Sequence, residues 1–170
     1  MIINNVEKDK HSSIFIGKMN SERFGCEMDV ILSSGSEELL VYAERCADYF
    51  NHLPAALFDE LKQYSLRYYN DMKQFYDDDN PDFPQNVTVE NIGDYMKAQC
   101  LIVEVPKDAD KIAFGVEFCC AWEPEHGMEW TINDGKVLYV GDYQGISAWY
   151  DARVYETECM SYVQESFTIA

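Results

Sequence analysis

The segment 112–141 constrains the fold more than any other part of the chain. It contains three strand-like runs in direct succession, rich in β-branched and aromatic residues, with only two short connections between them. The second connection, Asn133-Asp134-Gly135, is typical of a type I′ hairpin, because Asp-Gly accepts positive φ angles. The first connection, 122–127, reads Trp-Glu-Pro-Glu-His-Gly, and we expect Pro124 and Gly127 to shape a turn there. A central antiparallel meander is therefore predicted.

Strand and helix patterns also precede this meander. Alternation over 24–32 and a shorter run at 14–19 predict an N-terminal hairpin. Ser36 is a good N-cap for a helix over 37–51, since Glu37 and Glu38 would complement the helix dipole. A second helix is predicted over 54–76, with Phe75 at the end of its apolar face. The two helices are expected to form a helical hairpin.

The remaining segments carry weaker patterns. We expect a short helix over 89–96, a strand over 99–105 and a weak strand pattern over 154–169, whereas residues 1–13 read as a loose start. The length of 170 residues predicts one domain, 1–170. The expected fold class is α+β: a mostly antiparallel sheet, built from the N-terminal hairpin and the central meander, with the helical hairpin packed on one face.

The charge balance is the strongest global signal. Thirteen Lys and Arg against 31 Asp and Glu give a formal net charge of −18 and a pI near 4.3. A field of this sign repels phosphate backbones and anionic lipid, so nucleic acid and membrane are not expected partners. It attracts basic proteins and cations. The alternative interpretation is that the acidity only keeps the protein soluble.

The cysteines indicate a reducing compartment. Six are present, no Cys-x-x-Cys pair occurs, and the adjacent Cys119 and Cys120 would point to opposite faces of a strand. The chain opens with a polar segment instead of an apolar signal sequence, and no apolar run reaches the roughly 18 residues of a membrane-spanning helix. A cytoplasmic protein with reduced, packing cysteines is therefore expected, and no cofactor is predicted.

The acidic loop that follows the second helix has two interpretations. Asp78, Asn80 and Asp82 match the first oxygen ligands of an EF-hand loop, but Phe83 and Val89 stand where glycine and a bidentate glutamate are required. A calcium site is therefore not predicted. Contact with a basic partner is the functional interpretation, and a solvated loop is the structural one. The candidate contact residues are Tyr76, Asp77, Asp78, Asp79 and Asp82.

The Glu-Pro-Glu-His run is the most chemically loaded part of the chain. Glu125 and His126 could serve a metal-dependent hydrolase together with a remote carboxylate such as Glu117 or Asp142. Zinc, however, needs three or four converging ligands, and no second histidine lies at a suitable spacing. Nucleophile and phosphate-binding motifs are also lacking. A structural role for the run is the main expectation.

The segment 118–127, with the Asn133-Asp134-Gly135-Lys136 turn after it, resembles a group of small bacterial domains of unknown function. These carry a Trp-x-x-Glu-His-Gly hairpin, matched here by Trp122, Glu125, His126 and Gly127. The resemblance covers 14–141, and about 25 residues of that range are specific to the pattern. Such domains are similar to immunity proteins of polymorphic toxin systems, which block a toxin by binding it. The resemblance implies no catalytic residues.

The expected function is a non-enzymatic, acidic, cytoplasmic binding protein, an immunity protein that neutralises a basic toxin by steric and electrostatic occlusion. The alternatives are the metal-dependent hydrolase and a regulator or assembly subunit of the cell's own machinery. The sequence leaves the oligomeric state open.

Overall fold

Seven strands form one sheet, and its spatial order is the same as its order in the chain. The computed structural model describes residues 1–76, 80–157 and 159–163. The strands are β1 (Asn4–Lys8), β2 (Phe15–Ser21), β3 (Cys26–Leu32), β4 (Met96–Val103), β5 (Ala113–Cys120), β6 (Glu123–Asn133) and β7 (Lys136–Gly141). All neighbouring pairs are antiparallel except β3 and β4, which are parallel. The predicted α+β class is confirmed.

Two long helices connect the parallel strands β3 and β4 along the chain. Helix α1 (Glu37–Asn51) begins where predicted, with the Ser36 side chain accepting a hydrogen bond from the Leu39 amide. Helix α2 (Ala55–Lys73) follows after Pro54. Helix α1 contacts β2, β3 and β4, whereas α2 contacts β7. A parallel pair requires such a long crossover, because a tight turn can join only antiparallel strands.

The core lies between these helices and one face of the sheet. Aromatic rings fill its centre: Phe118 and Trp130 are 4.4 Å apart between ring centroids, and Phe50 of α1 contacts Phe114 at 6.1 Å. The Ser65 hydroxyl of α2 accepts a hydrogen bond from the Trp130 indole nitrogen at 2.9 Å. Burial of each such ring contributes roughly 1.5–3 kcal/mol, so this face supplies much of the stability.

The far end of the sheet is covered on its other face by the segment that follows β7. Helix α3 (Ala152–Thr157) lies in this segment, and Tyr155 packs with Tyr139 and Ile146 in a second, smaller apolar cluster. The Tyr162 amide donates to the Val140 carbonyl at 2.8 Å, so the edge of β7 is also partly covered. The predicted strand over 154–169 is wrong for its first residues, which are helical, and 164–169 lie outside the described residues.

Three other local predictions need correction. Phe75 was assigned to the buried face of α2, but the helix ends at Lys73 and Phe75 is 74% exposed. Residues 89–96 form only a short 3-10 helix, Ile92–Tyr95, before β4 begins. The start of the chain contributes the edge strand β1 where a loose segment was expected. This edge strand is polar because it is exposed on both faces. A polar strand of this kind cannot be told from a loop in the sequence.

Candidate functional site

The Glu-Pro-Glu-His-Gly run lies at the start of β6 and forms a bulge. The chain turns at residues 121 and 122, earlier than the predicted turn at 122–127. Phe118 pairs with Met128 and Cys120 pairs with Glu123, so a single residue of β5 faces residues 124–127 of β6. Extra residues on one strand bend it and displace side chains from the ladder. The bulge therefore presents Glu125 and His126 to solvent.

Glu123, which the sequence analysis did not single out, closes this bulge. Its carboxylate accepts hydrogen bonds from the amides of Glu125 and His126, both at 3.2 Å. The His126 ring nitrogen Nδ1 lies 3.3 Å from the same oxygen. The Glu123 side chain is only 12% exposed, whereas that of His126 is 65% exposed. A carboxylate that is bonded in this way organises the backbone of the bulge.

Trp122 and Gly127 flank the bulge and fix its position. Trp122 is fully buried, with the edges of Tyr68 and Tyr69 against its ring. Gly127 has φ +69°, and a Cβ atom there would lie 2.3 Å from the Phe118 carbonyl oxygen. Only glycine fits so close a backbone approach at positive φ. Trp122 and Gly127 thus shape the β5–β6 hairpin.

The structure does not bring the residues of the hydrolase hypothesis together. The Glu117 carboxylate lies on β5 and accepts from the Cys100 thiol at 2.9 Å. Asp142 accepts from the Tyr139 hydroxyl at 3.0 Å, beyond the end of β7. Within the described ranges, no group of three or more His, Cys, Asp or Glu side chains could hold a metal ion. His126 has only the Glu123 carboxylate beside its ring, and this falls short of the three or more ligands that a metal site needs.

The described end of the acidic loop, residues 80–83, is anchored by an aromatic cluster. Phe83 is buried, and its ring lies 4.5 Å from that of Tyr76 and 5.4 Å from that of Tyr69. Asp82 is exposed, and its amide donates to the Asn80 side chain at 2.9 Å. The candidate contacts Asp77, Asp78 and Asp79 lie outside the described residues. Of the predicted contact set, Tyr76 is therefore half-buried and Asp82 is free to meet a partner.

A row of ionisable side chains crosses the sheet face opposite the helices. Each member is the register partner of the next across five strands, and a Lys–Asp ion pair begins the row. The row consists of Lys18, Asp29, Cys100, Glu117 and Glu129. Two carboxylates directly opposite each other are unfavourable unless one is otherwise satisfied. Glu129 has such partners.

Glu129 is fully buried and binds the segment that covers it. Its two carboxylate oxygens accept hydrogen bonds from the amides of Gln144, Gly145 and Ile146 at 2.8–3.3 Å, and Oε1 also accepts from the Thr131 hydroxyl at 3.2 Å. Burial raises the pKa of Glu129 to about 7, and the amide hydrogen bonds oppose that rise. The carboxylate is enclosed by protein donors, so its role is to fasten the loop.

The alternation along β6 could not reveal this role. Glu129 and Thr131 alternate with the core residues Met128, Trp130 and Ile132, which is the ordinary pattern of a strand with one solvated face. The cover comes from residues 142–149, a stretch with no sequence period. The only sequence signal for this cover was the Gly145-containing loop after β7, and such loops are common.

The thiols are packing groups. Five of the six cysteines are buried or half-buried, none of the six is in a disulfide in the described structure, and Cys119 is the exposed one beside buried Cys120. Burial raises the pKa of Cys46 and that of Cys120 to about 12. A thiolate is the reactive form, so these sulfurs are poor nucleophiles at neutral pH.

The fold defines a class of small α+β domains in which a mixed seven-stranded sheet carries two crossover helices on one face. The family described as Domain of unknown function (DUF6985) matches residues 2–147, and the chain belongs to this family. No curated protein and no solved structure matches the chain. Within the described part of the chain, no helix is long and apolar enough to cross a membrane.

Proposed function

We propose that the protein is a non-enzymatic binding protein that takes a basic protein partner, and specifically an immunity protein that neutralises a basic toxin by occluding its surface. The observation that carries this proposal is the uncompensated negative charge. Even if each of the 13 basic side chains were paired with one carboxylate, 18 acidic groups would have no cationic partner within the chain. A surface of this kind steers a basic partner into contact and disfavours the binding of acidic proteins.

The internal chemistry of the described residues supports the same proposal. The most strongly perturbed carboxylate, Glu129, is engaged with backbone amides. The buried thiols are held protonated, and the exposed His126 interacts with Glu123. Perturbed groups in an active site normally face a cleft that substrate can enter. Glu129 and the buried thiols face the protein instead, and this favours a binding role over a catalytic one.

The proposed contact surface includes the end of α2 and the acidic loop. Phe75 is exposed beside Tyr76, and Asp82 follows on the same loop. An exposed aromatic side chain among carboxylates is the composition of an interface core with a charged rim. The contact residues of the proposal are therefore Tyr76, Asp77, Asp78, Asp79 and Asp82, with Phe75 added as the apolar anchor. The free cysteines support a cytoplasmic location as part of the proposal.

The test begins with capture of the partner on immobilised protein from a lysate of the source cells, followed by calorimetry with the purified partner. We expect the partner to be basic and the Kd to weaken about tenfold or more when salt is raised from about 0.05 M to about 0.2 M, because screening removes the steering field. If the partner is a toxin, co-expression of this chain should restore growth. Salt-insensitive binding would contradict the proposal.

A charge-matched pair of variants then locates the contact. Changing Asp77, Asp78, Asp79 and Asp82 to Asn should weaken binding. The control changes four exposed acidic residues elsewhere to their amides and alters the net charge equally: Glu7, Glu22, Glu27 and Asp94. Equal losses in the two variants would mean that only the overall field matters, and the proposed contact surface would then be wrong.

A further inference from the structure

An apolar groove lies between the first turns of α1 and the loop that joins β4 to β5. It encloses about 490 Å³, and its apolar lining includes Val41, Val105, Pro106 and Ala109. Val41 is 60% exposed and Val105 is 59% exposed, so two of the six large, strongly exposed apolar side chains of the described residues line this one groove. Neighbouring exposed apolar residues in a concave surface mark a contact site more often than scattered ones do.

Hydrogen bonds hold both walls of the groove. The Arg45 guanidinium of α1 donates to the Ala109 carbonyl at 2.8 Å. The Tyr42 hydroxyl donates to the Lys111 carbonyl at 3.0 Å and accepts from the Ala113 amide at 2.9 Å. These bonds fasten the loop to the helix at two points. A groove held in this way loses little conformational entropy when it is filled, so it is preorganised for a ligand.

The start of the loop is fixed as well. The Val105 amide donates to the Ser33 hydroxyl at 3.0 Å, and the Ser33 amide donates to the Val103 carbonyl at 3.2 Å. Val105 therefore stays just beyond the end of β4, where its side chain is exposed although Val103, the last residue of that strand, is buried. The exposure of Val105 is a stable feature of the surface.

Carboxylates outnumber cations at the groove. Glu37 and Glu38 line it and are exposed, and Asp108 and Asp110, which flank Ala109, are exposed as well. The nearby basic groups are Arg45 and Lys107, which donate to the carbonyls of Ala109 and Trp149, and Lys111. Four carboxylates thus stand against three cations at the rim, and hydrogen bonds to backbone carbonyls hold two of those cations in place.

We propose that this groove receives an aliphatic side chain that the partner presents on a basic segment, with Lys or Arg on either side of it. The floor matches the aliphatic group, and the acidic rim matches the flanking cations. The inference rests on the proposed function, because it assigns the basic partner a second, apolar point of attachment. Interfaces commonly combine an apolar anchor in a pocket with charges around it.

The test uses three capped pentapeptides as probes and amide chemical shifts of the labelled protein as the readout. The peptides are Lys-Lys-Leu-Lys-Lys, the same sequence with Ser for Leu, and Glu-Glu-Leu-Glu-Glu. We expect saturable shifts at the amides of residues 37–41 and 105–111 with the first peptide. We expect at least fivefold weaker binding of each of the other two, because one lacks the anchor and the other the charge.

Single substitutions separate the groove from the general acidic surface. Val41→Ser and Val105→Ser should each weaken binding of the first peptide at least threefold. Met160→Ser removes an exposed apolar side chain that lies outside both proposed contact surfaces, and it should leave the Kd of this peptide unchanged. Thermal unfolding shows whether each variant folds, and all three positions are exposed.

Equal binding of the Leu and Ser peptides, or shifts spread over the acidic surface, would overturn the groove assignment and leave the proposed function intact. The absence of saturable shifts with every peptide would also overturn it. The proposed function fails on a different result, namely salt-insensitive binding of the purified protein partner.

Discussion

At the scale of single residues, two glycines at positive φ show how differently the same conformation can be used. Gly25 has φ +60° in the turn between β2 and β3, and a Cβ atom there would meet nothing within 4 Å. Gly127 has φ +69° in the bulge, and its Cβ would meet the Phe118 carbonyl oxygen. The first position needs only the backbone freedom of glycine, whereas the second also needs the missing side chain.

Replacing each glycine by alanine should therefore separate these two requirements. We expect Gly25→Ala to lower the free energy of unfolding by about 1 kcal/mol, the cost of a left-handed alanine. We expect Gly127→Ala to lower it by about 3 kcal/mol or more, because the strand pair must also move apart. Urea unfolding of the two variants beside the parent protein measures both. Equal losses of unfolding free energy in the two variants would mean that the backbone of the bulge can move away from the Phe118 carbonyl at little cost.

At the scale of elements, Glu129 joins the loop 144–146 to the middle of β6. Folding favours the protonated form of this carboxylate over the ionised form, because burial raises the pKa of Glu129 from 4.5 to about 7. Between these two pH values the unfolded chain has released the proton and the folded chain has kept it. The contribution of this group to stability is therefore full below about pH 4.5 and is lost as the pH rises through 7.

We expect the parent protein to lose about 2 kcal/mol of unfolding free energy between pH 5 and pH 8 relative to Glu129→Gln, which cannot ionise. Urea unfolding of both proteins at each pH gives this difference. Glu125→Gln, which removes an exposed carboxylate from the same strand, serves as the control and should follow the parent protein. Parallel curves for the parent and Glu129→Gln would show that the amides lower the pKa as much as burial raises it.

The elements also show what sequence reasoning can reach. Helix α1, the strands of the central meander and the Asp134-Gly135 turn follow from local rules, namely capping, alternation and positive φ, with Asp134 at φ 51° and Gly135 at φ 73°. The parallel pairing of β3 with β4 and the burial of Glu129 depend on residues distant in the chain. Periodicity reports only what each segment prefers, so it cannot show which segment covers which.

The candidate site, too, was predictable from the sequence only in part. Composition predicted an acidic surface, and residue types predicted that the Glu-Pro-Glu-His run is structural. Sequence did not indicate that Glu123 bonds the backbone while Glu125 is exposed, because the two glutamates are equivalent until the bulge defines their directions. The groove beside α1 was likewise unpredictable, since Val41 and Val105 come together only in the folded chain.

At the scale of the whole molecule, the net charge of −18 acts on folding as well as on partners. Folding brings like charges closer together, so self-repulsion lowers the stability of the compact state. We expect the Tm to rise by about 3 °C or more when NaCl is raised from about 0.01 M to about 0.15 M, which shortens the Debye length from about 30 Å to about 8 Å. Calorimetric scans across this range measure the rise.

The control for this measurement is choline chloride at the same ionic strength. Its bulky cation screens charge but does not bind to carboxylate clusters as small metal cations do. Equal shifts in the two salts would support screening. A rise with NaCl alone would point to bound sodium, and no rise in either salt would mean that the carboxylates are too far apart to repel one another.

The parallel junction between β3 and β4 has a consequence for how the chain folds. Strands β1–β3 and β4–β7 each pair with sequence neighbours, so both groups can assemble from local contacts. Their union must wait until the segment 33–95 has folded back and brought Asp29 opposite Cys100. Closing so long a loop is entropically costly, and long-range strand pairing is intrinsically slow. Until it is complete, β3 and β4 each have an unpaired edge, and we expect any aggregation during folding to begin there.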